Sequence, residues 1–247
     1  CGWRRMKVSV VIPTYNRFDY LLNAIESVKN QTYDDIEIIV VNDRSSEDSY
    51  YKYDFAGVNI LHLQQNTKQV FGHACAGFIR NKGIDIVTGT YVAFLDDDDV
   101  WLPRKIELQI EAMQSSGCEM SCSDGYIGNG VYDANKEYPK YNAEHYWDAL
   151  RKIYRKKGKG GLFPISESCD GFPDVWNHEF INTHNCCITS SVIASKKILS
   201  QIDGFGNLKN GQEDWDCWRR ALRHTNCTYV KEPCFYYDSG HGGGQNY

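Results

Sequence analysis

No stretch of this sequence approaches the roughly 18 to 20 consecutive apolar residues that a membrane-spanning helix requires. It also lacks the charged start and apolar core of a secretory signal, so the cytoplasm is the expected location, with any membrane reached only peripherally. Positive charge is not in excess: 27 lysines and arginines against 32 acidic residues leave a net charge of -5. That balance removes the electrostatic case for a nucleic-acid partner, and the one basic run, residues 151–159, reads as a solvated loop. No internal repeat or low-complexity tail interrupts the chain. What remains is ordinary globular material, 247 residues with 42% hydrophobic and 24% charged, expected to form one mixed domain over residues 1–247.

Zinc-type cysteine spacing is absent too. Ten cysteines are present, but none form paired CxxC motifs, and Cys118 with Cys122 is a lone CxxxC. Cys75, Cys118, Cys122, Cys169, Cys186, Cys187, Cys217, Cys227 and Cys234 are scattered through expected core elements and read as reduced, mostly buried thiols. Cys1 belongs to a leading "CGWRR" that looks like leftover sequence before Met6, and with the "GGGQNY" ending it suggests a piece of a larger multidomain polypeptide.

The chain opens with "VSVVI", Val8 to Ile12, a β-branched run of strand length closed by Pro13. Leu21, Ile25 and Val28 then fall at helical spacing behind an Asn16 cap, and "IEIIVV", Ile36 to Val41, is a second buried strand. Further strands are expected at Val58 to Leu63 and Tyr91 to Leu95, with a helix between them from about His73 to Val87. Pro103 opens a helix carrying Ile106, Ile110 and Met113 on one face. Continuous apolar strands alternating with helices indicate a parallel sheet covered on both faces. Beyond residue 118 the pattern loosens, with glycine, asparagine and tyrosine filling Ser123 to Tyr146 and a "KKGKGG" loop at 156–161. Order returns with "CCITSSVIAS" as a strand, a short helix near Lys196 to Ile202, and the amphipathic helix "GQEDWDCWRRALRH", which carries Glu213 and Asp214 in its first turn.

"FLDDDDVW", residues 94–101, sets four carboxylates at the end of a buried strand. Adjacent charges repel by about 1 kcal/mol in water and several-fold more at low dielectric, so a partly buried cluster takes up protons or gathers cations. A solvated acidic loop is the plain alternative. In open α/β sheets, however, ligands sit beyond the carboxyl ends of the parallel strands. Three such ends carry polar groups to one rim: "PTYNR" at 13–17, "NDRS" at 42–45 and "DDDD" at 96–99. Hydroxyl, aromatic, carboxylate and metal-binding groups together suit a nucleoside diphosphate.

"VSVVIPTYNR", "QTYDDIEIIVVNDRS", "RNKGIDIVTGTYVAFLDDDDVWLPRKIE" and "GQEDWDCWRRAL" resemble the family 2 glycosyltransferases, in order and spacing, from Val8 to about His241. The resemblance implies an α/β fold of GT-A type: a Rossmann-like, mostly parallel central sheet flanked by helices, with a smaller acceptor-side region. Residues 6–117 would form the nucleotide-sugar-binding half and 118–247 the acceptor-side half. It further implies metal-dependent, inverting transfer of a sugar from a nucleotide diphosphate donor, of UDP or dTDP type, to a hydroxyl of a glycan or other acceptor. Thr14 and Tyr15 would line the nucleoside, with Pro13 and Arg17 of the same motif, and Asp43 would bond the base or cap the strand-end turn. Arg80 would approach the diphosphate. Asp96 would lie near the ribose with Asp97 beside it, and Asp98 would hold Mn2+ (or Mg2+), although a run of four acids leaves the register open. Asp99 would cap the turn into Pro103. Asp214 matches the general base, and His241 a late histidine that reaches the metal, which favours manganese because imidazole suits Mg2+ poorly. The glycines around His241 would let a loop close over the donor.

Trp147, Trp176, Trp215 and Trp218 are candidates to stack on sugars, although the last two fall at helical spacing, where such residues are more often core, and His184 reads as structural, near the acceptor. Two other classes share parts of the pattern. A non-catalytic nucleotide-sugar or glycan-binding module would tolerate loss of Asp214, and a metal-dependent phosphohydrolase would draw its carboxylates from separated motifs.

Overall fold

The computed structural model describes residues 6–156, 171–209 and 211–241. Cys1, Cys169, the "CGWRR" start, most of the glycine-lysine loop and the glycines at 242–244 lie outside the described residues. Val8–Thr14 (β1), Ile36–Asn42 (β2), Val58–His62 (β3) and Tyr91–Phe94 (β4) pair in parallel in the order β3-β2-β1-β4. The β-branched runs are buried on both faces: Val11, Ile39 and Val92 join one core, and Val10, Ile12 and Val40 the other. Burying each such side chain is worth about 1.5 to 3 kcal/mol.

β1 runs through Pro13, two residues past the expected end. The Val11 carbonyl accepts from Leu95 N–H across the β4 edge, so Pro13, two residues on, turns its missing donor toward that edge, where the β4 ladder has already ended at Phe94. Asn16 is not the cap of the first helix. It adopts φ 49° and its side-chain oxygen accepts from Ser46 N–H, while Phe18–Lys29 (α1) starts after Arg17.

Ser49–Lys52 (α2) is a single turn, and the helix expected from about His73 to Val87 is shorter than that range and preceded by a separate, unforeseen one. Thr67–Phe71 (α3) ends where Gly72 takes φ 74°, and Ala76–Ile84 (α4) packs on the sheet. Gly83 makes that packing possible, because a Cβ there would stand 2.4 Å from Val11 Cγ1. Lys105–Ser116 (α5) covers the other face, after the short strand Val100–Trp101 (β5).

The second half adds to the same sheet. Met120–Gly128 (β6) and Cys227–Asp238 (β9), both unforeseen, pair in parallel, and Ile193–Ser195 (β8) joins β4 to β6 by short antiparallel ladders. β9 also pairs with β5 and with Val175–Trp176 (β7). "CCITSSVIAS" is not one strand: Thr189–Ser191 forms a 3-10 turn before β8. Trp147–Lys156 (α6) follows a π-helical turn at Tyr141–Tyr146. His178–Thr183 (α7), Lys196–Gln201 (α8) and Glu213–Ala221 (α9) complete the described helices. Among the described residues no helix is long and apolar enough to cross a membrane, and the eight described cysteines are all free thiols.

Candidate active site

The acid run leaves β4 where β1 and β8 flank it, and cationic side chains meet it there. Arg17 Nη1 donates to Asp98 Oδ2 at 2.8 Å and to Asp97 Oδ1 at 3.3 Å, and Arg80 Nη2 donates to Asp96 Oδ1 at 2.7 Å. Asp99 accepts from the Asp238 N–H at 3.0 Å and from the Ser190 hydroxyl at 2.5 Å. The turn into Pro103 therefore does not hold Asp99; it reaches across to β9 and the 3-10 turn. Asp97 and Asp99 are at most 1% exposed, which rules out a solvated loop. Burial, reinforced by the Asp98 charge and opposed by Arg17, pushes Asp97 up to about 7. Burial and Asp96 push Asp98 up to about 6, against Arg17 and His241.

At the neighbouring strand ends, Thr14 is buried with its hydroxyl 2.7 Å from the Tyr50 hydroxyl, Pro13 is buried, and Tyr15 is half-buried on the same rim. Asp43 faces α3: it accepts from Thr67 N–H at 2.8 Å, the Thr67 hydroxyl at 2.7 Å and the Asn66 amide at 3.1 Å. It thus holds the start of that helix, and burial raises its pKa. A carboxylate offers about four acceptor sites, so three protein donors leave room for one more.

Asp214 stands half-buried in the first turn of α9. Its Oδ1 accepts from Trp215 N–H at 2.6 Å, and its Oδ2 accepts from Asn185 at 3.2 Å and the Thr189 hydroxyl at 3.3 Å. Burial and the adjacent Glu213 push it up to about 6, against the pull of Arg80. Two short relays join it to the acid run. Thr189 touches Asp214 while the next residue, Ser190, donates its hydroxyl to Asp99 and accepts from the Asp96 N–H at 3.0 Å. Arg80, 4% exposed, spans Asp96 and Glu213 at 3.2 Å. The 3-10 turn is itself anchored: Trp101 Nε1 donates to the Ser190 carbonyl, and Lys105 and Gln109 donate to that of Ser191.

His241 Nδ1 lies 3.5 Å from Asp98 Oδ2 and 3.2 Å from Asp238 Oδ2. Asp238 is 2% exposed, and its Oδ2 accepts no hydrogen bond among the described residues. His241 thus brings an imidazole beside two carboxylates, one of them with an unpartnered buried oxygen, and these are the residues that could hold a divalent cation. Asp238 escaped sequence reading, although an acid three residues before His241 was its signal. Asn185, Thr189 and Ser190 escaped it as well, because small polar side chains carry no periodic pattern. Trp176 and Trp218 are fully buried and cannot stack on a sugar. Trp215 donates its Nε1 to the Ile181 carbonyl at 2.7 Å, and Trp147 packs on Phe172. His184 bonds Tyr146, whose ring stacks on Tyr141, beside Asn185 and the Asp214 carboxylate.

A family model described as "Glycosyl transferase family 2" matches residues 9–172. An uncharacterized glycosyltransferase of Rickettsia bellii is 42% identical over 167 residues, 67% of this chain and 21% of that protein. The UDP-Glc:alpha-D-GlcNAc-diphosphoundecaprenol beta-1,3-glucosyltransferase WfaP of Escherichia coli is 34% identical over 124 residues, 49% of this chain and 46% of that one. The crystal structure of S. aureus TarS 1-349 in complex with UDP-GlcNAc superposes with a TM-score of 0.62 at 18% identity, over 94% of this chain and 58% of that one, which shows a shared fold. The chain spans between 21% and 60% of the length of the curated relatives it matches.

Proposed function

The chain belongs to glycosyl transferase family 2, with the GT-A fold, and from that premise we propose that it is a metal-dependent, inverting transferase using a UDP- or dTDP-sugar and a glycan or other hydroxyl acceptor. The observation that carries this reading is the placing of Asp214, a carboxylate pushed up to about 6, one residue from Glu213 and two short relays from the acid run. At neutral pH it is mostly ionised yet basic enough to take a proton. Asp214 receives the proton of the acceptor hydroxyl as that oxygen attacks the anomeric carbon. The bond from this carbon to the diphosphate breaks on the opposite face, the nucleoside diphosphate leaves, and one displacement inverts the centre. Asp98, His241 and Asp238 would hold Mn2+, which when bound neutralises charge on the leaving diphosphate. Arg80, engaged by Asp96 and Glu213, keeps the donor and acceptor sides in register.

The names of two relatives support a uridine donor: WfaP is called a UDP-glucose-using enzyme, and TarS was crystallised with UDP-GlcNAc. The free thiols support a cytoplasmic setting, where cysteines stay reduced. Incubation with a panel of nucleotide sugars and Mn2+ tests the class. Slow release of free sugar and nucleoside diphosphate is the expected outcome; inorganic phosphate would indicate a hydrolase, and binding without turnover a module.

The base pocket has its own test. Asp43→Ala is expected to weaken UDP binding by about 1 to 3 kcal/mol in calorimetry. It should also lower stability to urea, because Thr67 and Asn66 lose their acceptor. Unchanged affinity, or a preference for guanosine diphosphate, would take Asp43 out of the base pocket.

A further inference from the structure

Away from this site, the second half of the sheet gathers three thiols. Cys122 lies within β6, Cys227 opens β9, and Cys187 precedes the 3-10 turn; their Sγ atoms all fall within 4.8 Å of one another. Each is at most 1% exposed and none is in a disulfide. They share one apolar core with Met120, Val192, Ala194 and Tyr229. Burial disfavours the thiolate at all three, yet hydrogen bonds from Cys122 and Cys227 bring the Cys187 thiol down.

We propose that Cys122, Cys187 and Cys227 form a closed, three-sulfur site for a soft monovalent cation of the Cu+ class. The size fits: metal–sulfur bonds of about 2.3 Å in a trigonal plane set the sulfurs about 4.0 Å apart, inside the 4.8 Å within which all three sulfurs lie. The ligand number fits as well. Among the described residues the group has no fourth His, Cys, Asp or Glu, whereas structural zinc closes its shell with four ligands. Thiolates select soft ions, while the carboxylates around Asp98 suit harder ones. Exchanging one Cu+ for one thiol proton leaves the charge of the apolar pocket unchanged, so binding releases at least one proton per ion. Such an ion would tie β6 and β9 to the segment that carries Thr189 to Asp214, a structural role independent of the transferase reading.

Reduced, metal-free protein titrated with Cu+ under anaerobic conditions, against the chromophoric chelator bicinchoninate, tests this. One Cu+ per chain should leave the chelator, and the thermal midpoint should rise. Cys122→Ser, Cys187→Ser and Cys227→Ser should each weaken retention at least about tenfold, while Cys217→Ser, buried outside the cluster, should not. X-ray absorption on the copper-loaded, unaltered protein guards against variants that fail to fold, and should show a shell of three sulfurs. Failure to compete with the chelator, equal retention in all variants, or a nitrogen and oxygen shell would overturn the proposal.

Discussion

Asp214→Asn is expected to lower sugar transfer at least about a hundredfold while the Kd for nucleoside diphosphate with Mn2+ stays within a few-fold. Asparagine keeps the shape: its carbonyl oxygen can still accept from Trp215 N–H, and its NH2 can donate to the Thr189 hydroxyl, which then acts as acceptor, so the local fold survives and basicity is lost. The pH profile supplies a second readout. Burial and Glu213 lift the Asp214 pKa from 3.8 to about 6, and only the ionised form takes a proton. Turnover should therefore fall about tenfold per unit below pH 6 and level off above it, and this acidic limb should vanish in Asp214→Asn. A product of inverted configuration accompanies the same mechanism. Near-normal turnover in the variant, or retained configuration, would remove Asp214 from the chemistry.

Asp98→Ala should abolish the dependence of nucleoside diphosphate binding on Mn2+, which in the unaltered protein is expected to exceed about tenfold, or 1.4 kcal/mol. Asp98 is the acid that His241 and Arg17 both approach, so its loss removes the proposed ligand and takes from Arg17 its 2.8 Å carboxylate partner, leaving the one to Asp97 at 3.3 Å. Calorimetry with and without EDTA measures the effect, and Asp98→Asn, which keeps an oxygen for Arg17, separates lost metal from a disturbed arginine. Equal affinity with and without Mn2+ in the unaltered protein would exclude the metal.

The parallel core of the sheet was legible because Val8–Thr14 and Ile36–Asn42 are β-branched runs with no competing period, and α5 and α9 because their apolar residues recur at helical spacing. β6 and β9 were not. "MSCSDGYIG" and "CTYVKEPCFYYD" carry serine, glycine and proline, and they become strands through each other, their register skipping between Ser123↔Val230 and Asp124↔Pro233 so that Lys231 and Glu232 bulge outward. The candidate site divided in the same way. Its acids stood out as a run and a motif, but which cation meets which acid depends on helices far apart in sequence: Arg80 of α4 meets Glu213 of α9 only in the folded chain.

The strand order also has a consequence for how the chain is made. During synthesis from the amino terminus, β1 to β4 can assemble as soon as residue 94 has emerged, whereas β8, which covers the outer edge of β4, arrives about a hundred residues later. β6 waits longer still for its long parallel partner β9, the last strand of the sheet. Closing such distant pairs is slow, and an unpaired edge is a template for pairing with another chain. A nascent polypeptide stalled between β4 and β8 therefore exposes the β4 edge to its neighbours on the same messenger, and folding yield depends on how quickly the ribosome covers that interval.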